Sequence, residues 1–270
     1  MLKRTLVGAG IVVTIFLLMW LYGWYIKVGV ILAALVTQFE IIRSIKNKGI
    51  ALPEVILYVY TALLFPAYYF FELPGVFAVM AAGVSALFIA GILNHEKYPQ
   101  ESIINGIFTM FYPQIYFVFL YMIVCMEDQT LSANLLLTML ANAMVTDTFA
   151  YFCGTLMGKH KLCPNISPKK TIEGSLAGIL GGILGTLLVM YVLGNTGISL
   201  SAMPIVILFA AFASVISQFG DLAASLIKRY FGVKDFGNIL PGHGGLLDRL
   251  DSTLFILPIV YFFFKIYFKF

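Results

Sequence analysis

Long apolar runs, each close to twenty residues, constrain this chain more than any other feature. Residues Ile205 to Phe219 carry no charge at all. Comparable runs lie near 5–22, 25–42, 52–71, 74–93, 103–126, 131–152, 174–194, 199–227 and 249–267. A helix needs about 20 apolar residues to cross a bilayer, so these runs predict about nine transmembrane helices in an all-α, polytopic integral membrane protein. Only 11% of the residues are charged, against about 25% in soluble domains. That excludes an ordinary soluble globular fold. No linker is long enough to separate soluble domains. The expected organisation is a scaffold of about five spans over 1–130, followed by about four spans over 131–270 that carry the two long polar loops.

The first run follows Lys3 and Arg4 and is bounded by Trp20, Tyr22, Trp24 and Tyr25. Large aromatic residues suit an interfacial belt rather than the small residues of a signal-peptide cleavage site. Placing the N-terminus in the cytoplasm puts Lys3, Arg4, Arg43, Lys46, Lys48, Lys97 and all eight cations from Lys159 to Arg249 on the cytoplasmic side. Only Lys27, Lys265 and Lys269 fall outside. This asymmetry follows the positive-inside rule and places both polar loops, 154–173 and 232–245, in the cytoplasm. A prokaryotic plasma membrane is the expected location.

Gly220 to Ser252 concentrates the charge. Its 33 residues hold four carboxylates and four cations. Asp221, Ser225 and Lys228 stand at i, i+4 and i+7, on one helical face, with Arg229 beside them. Asp221 lies about 10 Å before Lys228 along a helix, a depth at which a carboxylate costs on the order of 3 kcal/mol and faces a polar cavity or a partner. The bland alternative is a buried salt bridge to Lys228 or Arg249. The segment Pro241-Gly242-His243-Gly244-Gly245 cannot be a regular helix, and its glycines let backbone N–H groups approach a ligand. Asp248, Asp251 and Ser252 form a second carboxylate-bearing face at i, i+3 and i+4. Two such faces with cations and a Gly-rich turn between them suit Mg²⁺-phosphate chemistry.

These residues resemble the signature of the phosphatidate cytidylyltransferases (CDP-diacylglycerol synthases). Residues 225–251 match S-x-x-K-R-x4-K-D-x5-P-G-H-G-G-x-x-D-R-x-D at every fixed position. Asp147-Thr-Phe-Ala-Tyr-Phe-Cys-Gly154 and Ser167-Pro-Lys-Lys-Thr-Ile-Glu-Gly174 match two further family patterns. The likeness is sharp over 147–252 and only hydropathic before that. Ala224 departs from it, since many members carry glutamate there.

The resemblance implies transfer of CMP from CTP to phosphatidate, with pyrophosphate released. Asp221 and Asp248 are then the principal Mg²⁺ ligands, with Asp147 and Asp251 as further candidates. Two divalent ions are expected, and a monovalent ion is compatible. Lys169, Lys170, Lys228, Arg229, Lys234 and Arg249 are assigned to phosphates, and Ser167, Asp235 and the Gly242, Gly244 and Gly245 amides to substrate. His243 is a phosphate ligand or acid, or else stabilises its turn by a hydrogen bond. A CTP-dependent polyprenol kinase-like enzyme and a transporter with intramembrane carboxylates are the alternatives. No nucleic-acid partner is expected.

Other motifs are weaker. Ser167-Pro168 reads as a turn, with Thr171 as a helix cap and Lys169 and Lys170 beside it. His160, between two lysines, reads as a headgroup or solvent residue. Three overlapping G-x-x-x-G spacings in 174–185 predict close helix packing, within the chain or across a homodimer. Cys125, Cys153 and Cys163 contain no C-x-x-C and, with three scattered histidines, form no zinc pattern.

Overall fold

The computed structural model describes residues 21–193, 202–242 and 244–268, together with Gly10 and Leu17. Lys3, Arg4, Trp20, His243, Lys269 and most of the first apolar run lie outside the described residues. The chain divides into two compact units. One comprises Met1–Cys125 with Lys228–Arg249, the other Met126–Ile227 with Leu250–Phe270.

The first unit is built on α1 (Gly23–Asn47), α2 (Glu54–Leu93), α3 (Gln100–Phe111) and α4 (Gln114–Val124). α2 holds its break where the sequence places one: Glu72 leaves helical geometry (φ 54°, ψ −144°), two residues before Pro74. Proline has no N–H to donate and clashes with the carbonyl of the preceding turn, which is enough to kink a helix. The expected span 103–126 is likewise divided into α3 and α4. Tyr112 is extended (φ −110°, ψ 122°) because Pro113 disfavours helical geometry in the residue before it. Buried amides tie these helices together. Gln114 Nε2 donates to Gln38 Oε1 at 2.8 Å, and Gln38 Nε2 donates to Thr109 Oγ1 at 3.2 Å. Phe65 of α2 and Tyr121 of α4 pack edge-to-face, with centroids 5.2 Å apart.

The second unit holds α5 (Gln129–Met157), a small hairpin of β1 (Lys161–Cys163) and β2 (Ser167–Thr171), α6 (Ile172–Leu193), most of α7 (Met203–Tyr230) and most of α8 (Leu247–Phe268). The hairpin, with the last turn of α5, takes up most of what the sequence marks only as a polar loop over 154–173. Ser167 and Pro168 lie in β2, not in a turn, and Pro168 is tolerated because a two-stranded ribbon has free edges. Thr171 does cap α6: its Oγ1 accepts from Gly174 N at 3.2 Å.

Gly174, Gly178, Gly181, Gly182 and Gly185 form one buried stripe of α6. A Cβ on any of them would meet α5, at Ala150, Thr146, Phe149 or Ala141. The small-residue spacing therefore serves packing within the chain. Asn142 of α5 anchors this layer. Its Nδ2 lies 3.1–3.3 Å from Gly182 O, Thr186 Oγ1, Ala210 O and Ser214 Oγ. An NH₂ group has two protons, so it serves two of the four at a time. The opposite face of α6 exposes Leu176, Leu180, Leu184 and Leu188, an apolar ridge that suits lipid.

Six helical segments among the described residues are long and apolar enough to cross a membrane: α1, α2, α3 with α4, α5, α6 and α7. The chain is an integral membrane protein of helical class.

Candidate active site

In the first unit the Gly-rich segment folds around Asp248. The Lys228 ammonium lies 2.7 Å from Asp248 Oδ1, and Asp248 Oδ2 accepts from Phe236 N at 2.8 Å and Gly245 N at 2.9 Å. Its side chain is 2% exposed. Three donors thus hold a buried carboxylate that has about four lone-pair directions, leaving one on Oδ1. Lys228 also stands 5.3 Å from the centroid of the Phe236 ring. The loop turns through Gly242 and Gly244, at φ +80° and +86°, conformations that other residues rarely adopt. Leu240 N donates to Gly244 O across the turn at 3.0 Å. Arg229, Lys234, Asp235, Gly242 and Arg249 are exposed around this core, and Asp235 lies against Gly244.

Glu40, on α1, escaped the sequence analysis. It is completely buried, and its Oε1 and Oε2 accept from Leu246 N and Leu247 N, each at 2.8 Å. The signal was present: an acidic residue interrupting an apolar run is costly and calls for a partner.

In the second unit the hairpin brings Lys170 to Asp221, with Nζ 2.6 Å from Oδ2. Lys170 Nζ also donates to Gln218 O at 3.3 Å. This pair is more open, at 23% and 33% side-chain exposure. The salt-bridge alternative thus has different partners: Asp221 pairs with Lys170, and Lys228 with Asp248. Asp147 is exposed within the C-terminal half of α5, which runs on to Met157, and its Oδ2 accepts from Ser252 Oγ at 3.1 Å. Asp251 is buried, with Oδ1 accepting from Ser252 N at 2.8 Å. Lys169 is exposed and Ser167 half-buried. Ala224 is fully buried and adds no oxygen donor. His160 is exposed as expected, yet it is paired: its Nδ1 lies 2.6 Å from Glu173 Oε1, and Glu173 also accepts from Lys159 N and His160 N. This ties the start of the hairpin to the start of α6.

Among the described residues no three His, Cys, Asp or Glu side chains gather as a metal cluster. The donor chemistry still fits a hard divalent cation. The candidates are carboxylates, with the Ser252 hydroxyl on Asp147 and the Ser252 backbone N–H on Asp251. Mg²⁺ is commonly held by one or two carboxylates together with waters and substrate phosphates.

Fold and site together define a polytopic helical membrane protein that pairs lysines with aspartates on a Gly-rich loop and a hairpin, groups suited to phosphorylated substrates. The chain belongs to the cytidylyltransferase family, whose model matches residues 2–267. It is 35% identical over 235 residues to the phosphatidate cytidylyltransferase of Bacillus subtilis (strain 168), covering 84% of each chain. It is 42% identical over 169 residues to that of Staphylococcus saprophyticus, covering 63% of this chain and 62% of the relative. With that of Staphylococcus haemolyticus it shares 48% identity over 117 residues, 43% of each chain. It is a nucleotidyltransferase.

Proposed function

We propose that this protein transfers CMP from CTP to phosphatidate, forming CDP-diacylglycerol for phospholipid synthesis and releasing pyrophosphate. The observation that carries this reading is that the motif residues fold into two lysine–carboxylate pairs, Lys228–Asp248 and Lys170–Asp221. A phosphate monoester has a second pKa near 6, so the phosphatidate headgroup is largely dianionic at neutral pH. Its oxygen attacks the α-phosphorus of CTP, and the bond from that phosphorus to the oxygen bridging to the β-phosphate breaks. No strong base is required. The obstacle is repulsion between anions, and cations with backbone N–H donors remove it.

We assign Lys169, Lys170, Lys228, Arg229, Lys234 and Arg249 to the phosphates. The Gly242, Gly244 and Gly245 segment, with His243, is assigned to the nucleotide. Asp221, Asp248, Asp147 and Asp251 would hold Mg²⁺, which supplies charge neutralisation for the leaving pyrophosphate. A lipid substrate keeps its acyl chains in the bilayer while its headgroup meets these residues. About nine crossings follow if the run at 5–22, both halves of α2 and α8 are each counted. The charge asymmetry supports a cytoplasmic N-terminus and cytoplasmic motif loops in a prokaryotic plasma membrane.

The test is purified protein with radiolabelled CTP, phosphatidate and Mg²⁺. Pyrophosphate release that requires the lipid is expected. Labelled CDP as product would instead indicate a lipid kinase.

A further inference from the structure

We propose that Glu40 is a positioning residue of this reaction: it holds the Gly-rich loop, and with it Asp248, in the shape that receives the nucleotide phosphates. This rests on the reading that the loop binds CTP.

Three observations converge on it. Glu40 is the only acidic residue of α1, and it is completely buried. Ionising a carboxylate there is costly unless donors surround it. Both of its oxygens are used, one on Leu246 N and one on Leu247 N. A carboxylate forked over two consecutive amides at a helix start also meets the positive end of the helix dipole. Among the described residues no cationic side chain pairs with it, so backbone N–H groups are its counter-charge.

The loop is shaped around this carboxylate. A Cβ on Gly237 or on Gly245 would stand 2.5 Å from Glu40 Oε1. Both glycines are therefore needed for close approach, not for a turn.

The same face of α1 continues the contact at i+3 and i+4. Arg43 Nη1 donates to Asn238 Oδ1 at 3.1 Å, and the single Ser44 Oγ proton is shared between Glu40 O at 2.9 Å and Phe236 O at 3.3 Å. Asp248 meanwhile takes Phe236 N and Gly245 N. Two carboxylates thus claim four amides of the loop and the start of α8, and displacing Glu40 releases the segment that orients Asp248 and its partner Lys228.

The test uses the full-length protein in lipid nanodiscs. Glu40→Gln keeps the size, but its amide can accept with only one atom and presents an NH₂ to the second backbone N–H. The expected result is at least a tenfold rise in KM for CTP, with KM for phosphatidate within twofold. Hydrogen exchange at the Leu246 and Leu247 amides should rise, with exchange in α2 unchanged. Ile41→Ala, a fully buried neighbour, is the control for a packing role. It should lower the melting temperature without separating the two KM values. Glu40→Gln behaving like Ile41→Ala, or leaving loop exchange at the wild-type level, overturns the proposal. If Glu40→Gln does not insert, Glu40→Asp carries the same two measurements, since its shorter side chain cannot fork over both amides. Absence of lipid-dependent CTP turnover in the wild type would refute the proposed function, while loop exchange would still decide the role of Glu40.

Discussion

The Lys228 ammonium sits 2.7 Å from Asp248 Oδ1, with the two side chains only 12% and 2% exposed. Lys170 and Asp221 approach as closely, at 2.6 Å, but at 23% and 33% exposure. The two pairs should therefore respond differently to loss of one partner. A buried charge left without its counter-ion is costly, whereas solvent screens an open one.

For the buried pair, Lys228→Met should destabilise the protein by about 3 kcal/mol, because Asp248 keeps only two backbone donors. Denaturant unfolding in detergent measures this. A melting point equal to that of the wild type would mean that water reaches the Asp248 carboxylate.

For the open pair, Asp221→Ala should change stability by less than about 1 kcal/mol while turnover falls to background. Insertion and thermal melting measured beside the pyrophosphate assay separate the two effects. Normal turnover would remove Asp221 from the proposed metal site, and the same holds for Asp248→Ala.

The α5–α6 layer predicts a purely structural defect. A Cβ at Gly182 would overlap Ser214 Oγ, which lies against Asn142, and Thr146 Oγ1 of α5. Gly182→Ala should cost about 1–3 kcal/mol through overpacking, with KM for both substrates unchanged in the folded fraction. Wild-type stability would show that α6 shifts freely against α5.

Removal of divalent metal should abolish pyrophosphate release, and Mg²⁺ should restore it. The carboxylate donors predict that hard cations such as Mn²⁺ substitute better than soft ones. Full turnover in excess chelator would leave the lysines and loop amides as the sole means of charge neutralisation.

Membrane orientation can be read from Cys163, which lies in β1 of the hairpin and is half-buried. In a variant lacking Cys125 and Cys153, an impermeant maleimide should label it in inside-out vesicles and spare it in right-side-out ones. The reverse pattern would invert the proposed topology.

Much of this protein was legible in its sequence. Hydropathy is a local property, so the runs that became α1, α5, α6 and α7 needed no knowledge of their neighbours. The break at Glu72 and the Thr171 cap were equally local, since proline and hydroxyl chemistry act within a turn. The small-residue stripe of α6 predicted close packing, but its partner, α5, emerged only in the fold. So did the hairpin that carries Lys170 to Asp221, and the choice of Lys228 for Asp248. Glu40 was the furthest from reach. Its partners lie 206 and 207 residues away, and no periodicity links them. Sequence determines which segments must leave water and which charges are too costly to stand alone. Only tertiary structure decides which donors meet them, because a buried carboxylate is satisfied by geometry and not by distance along the chain.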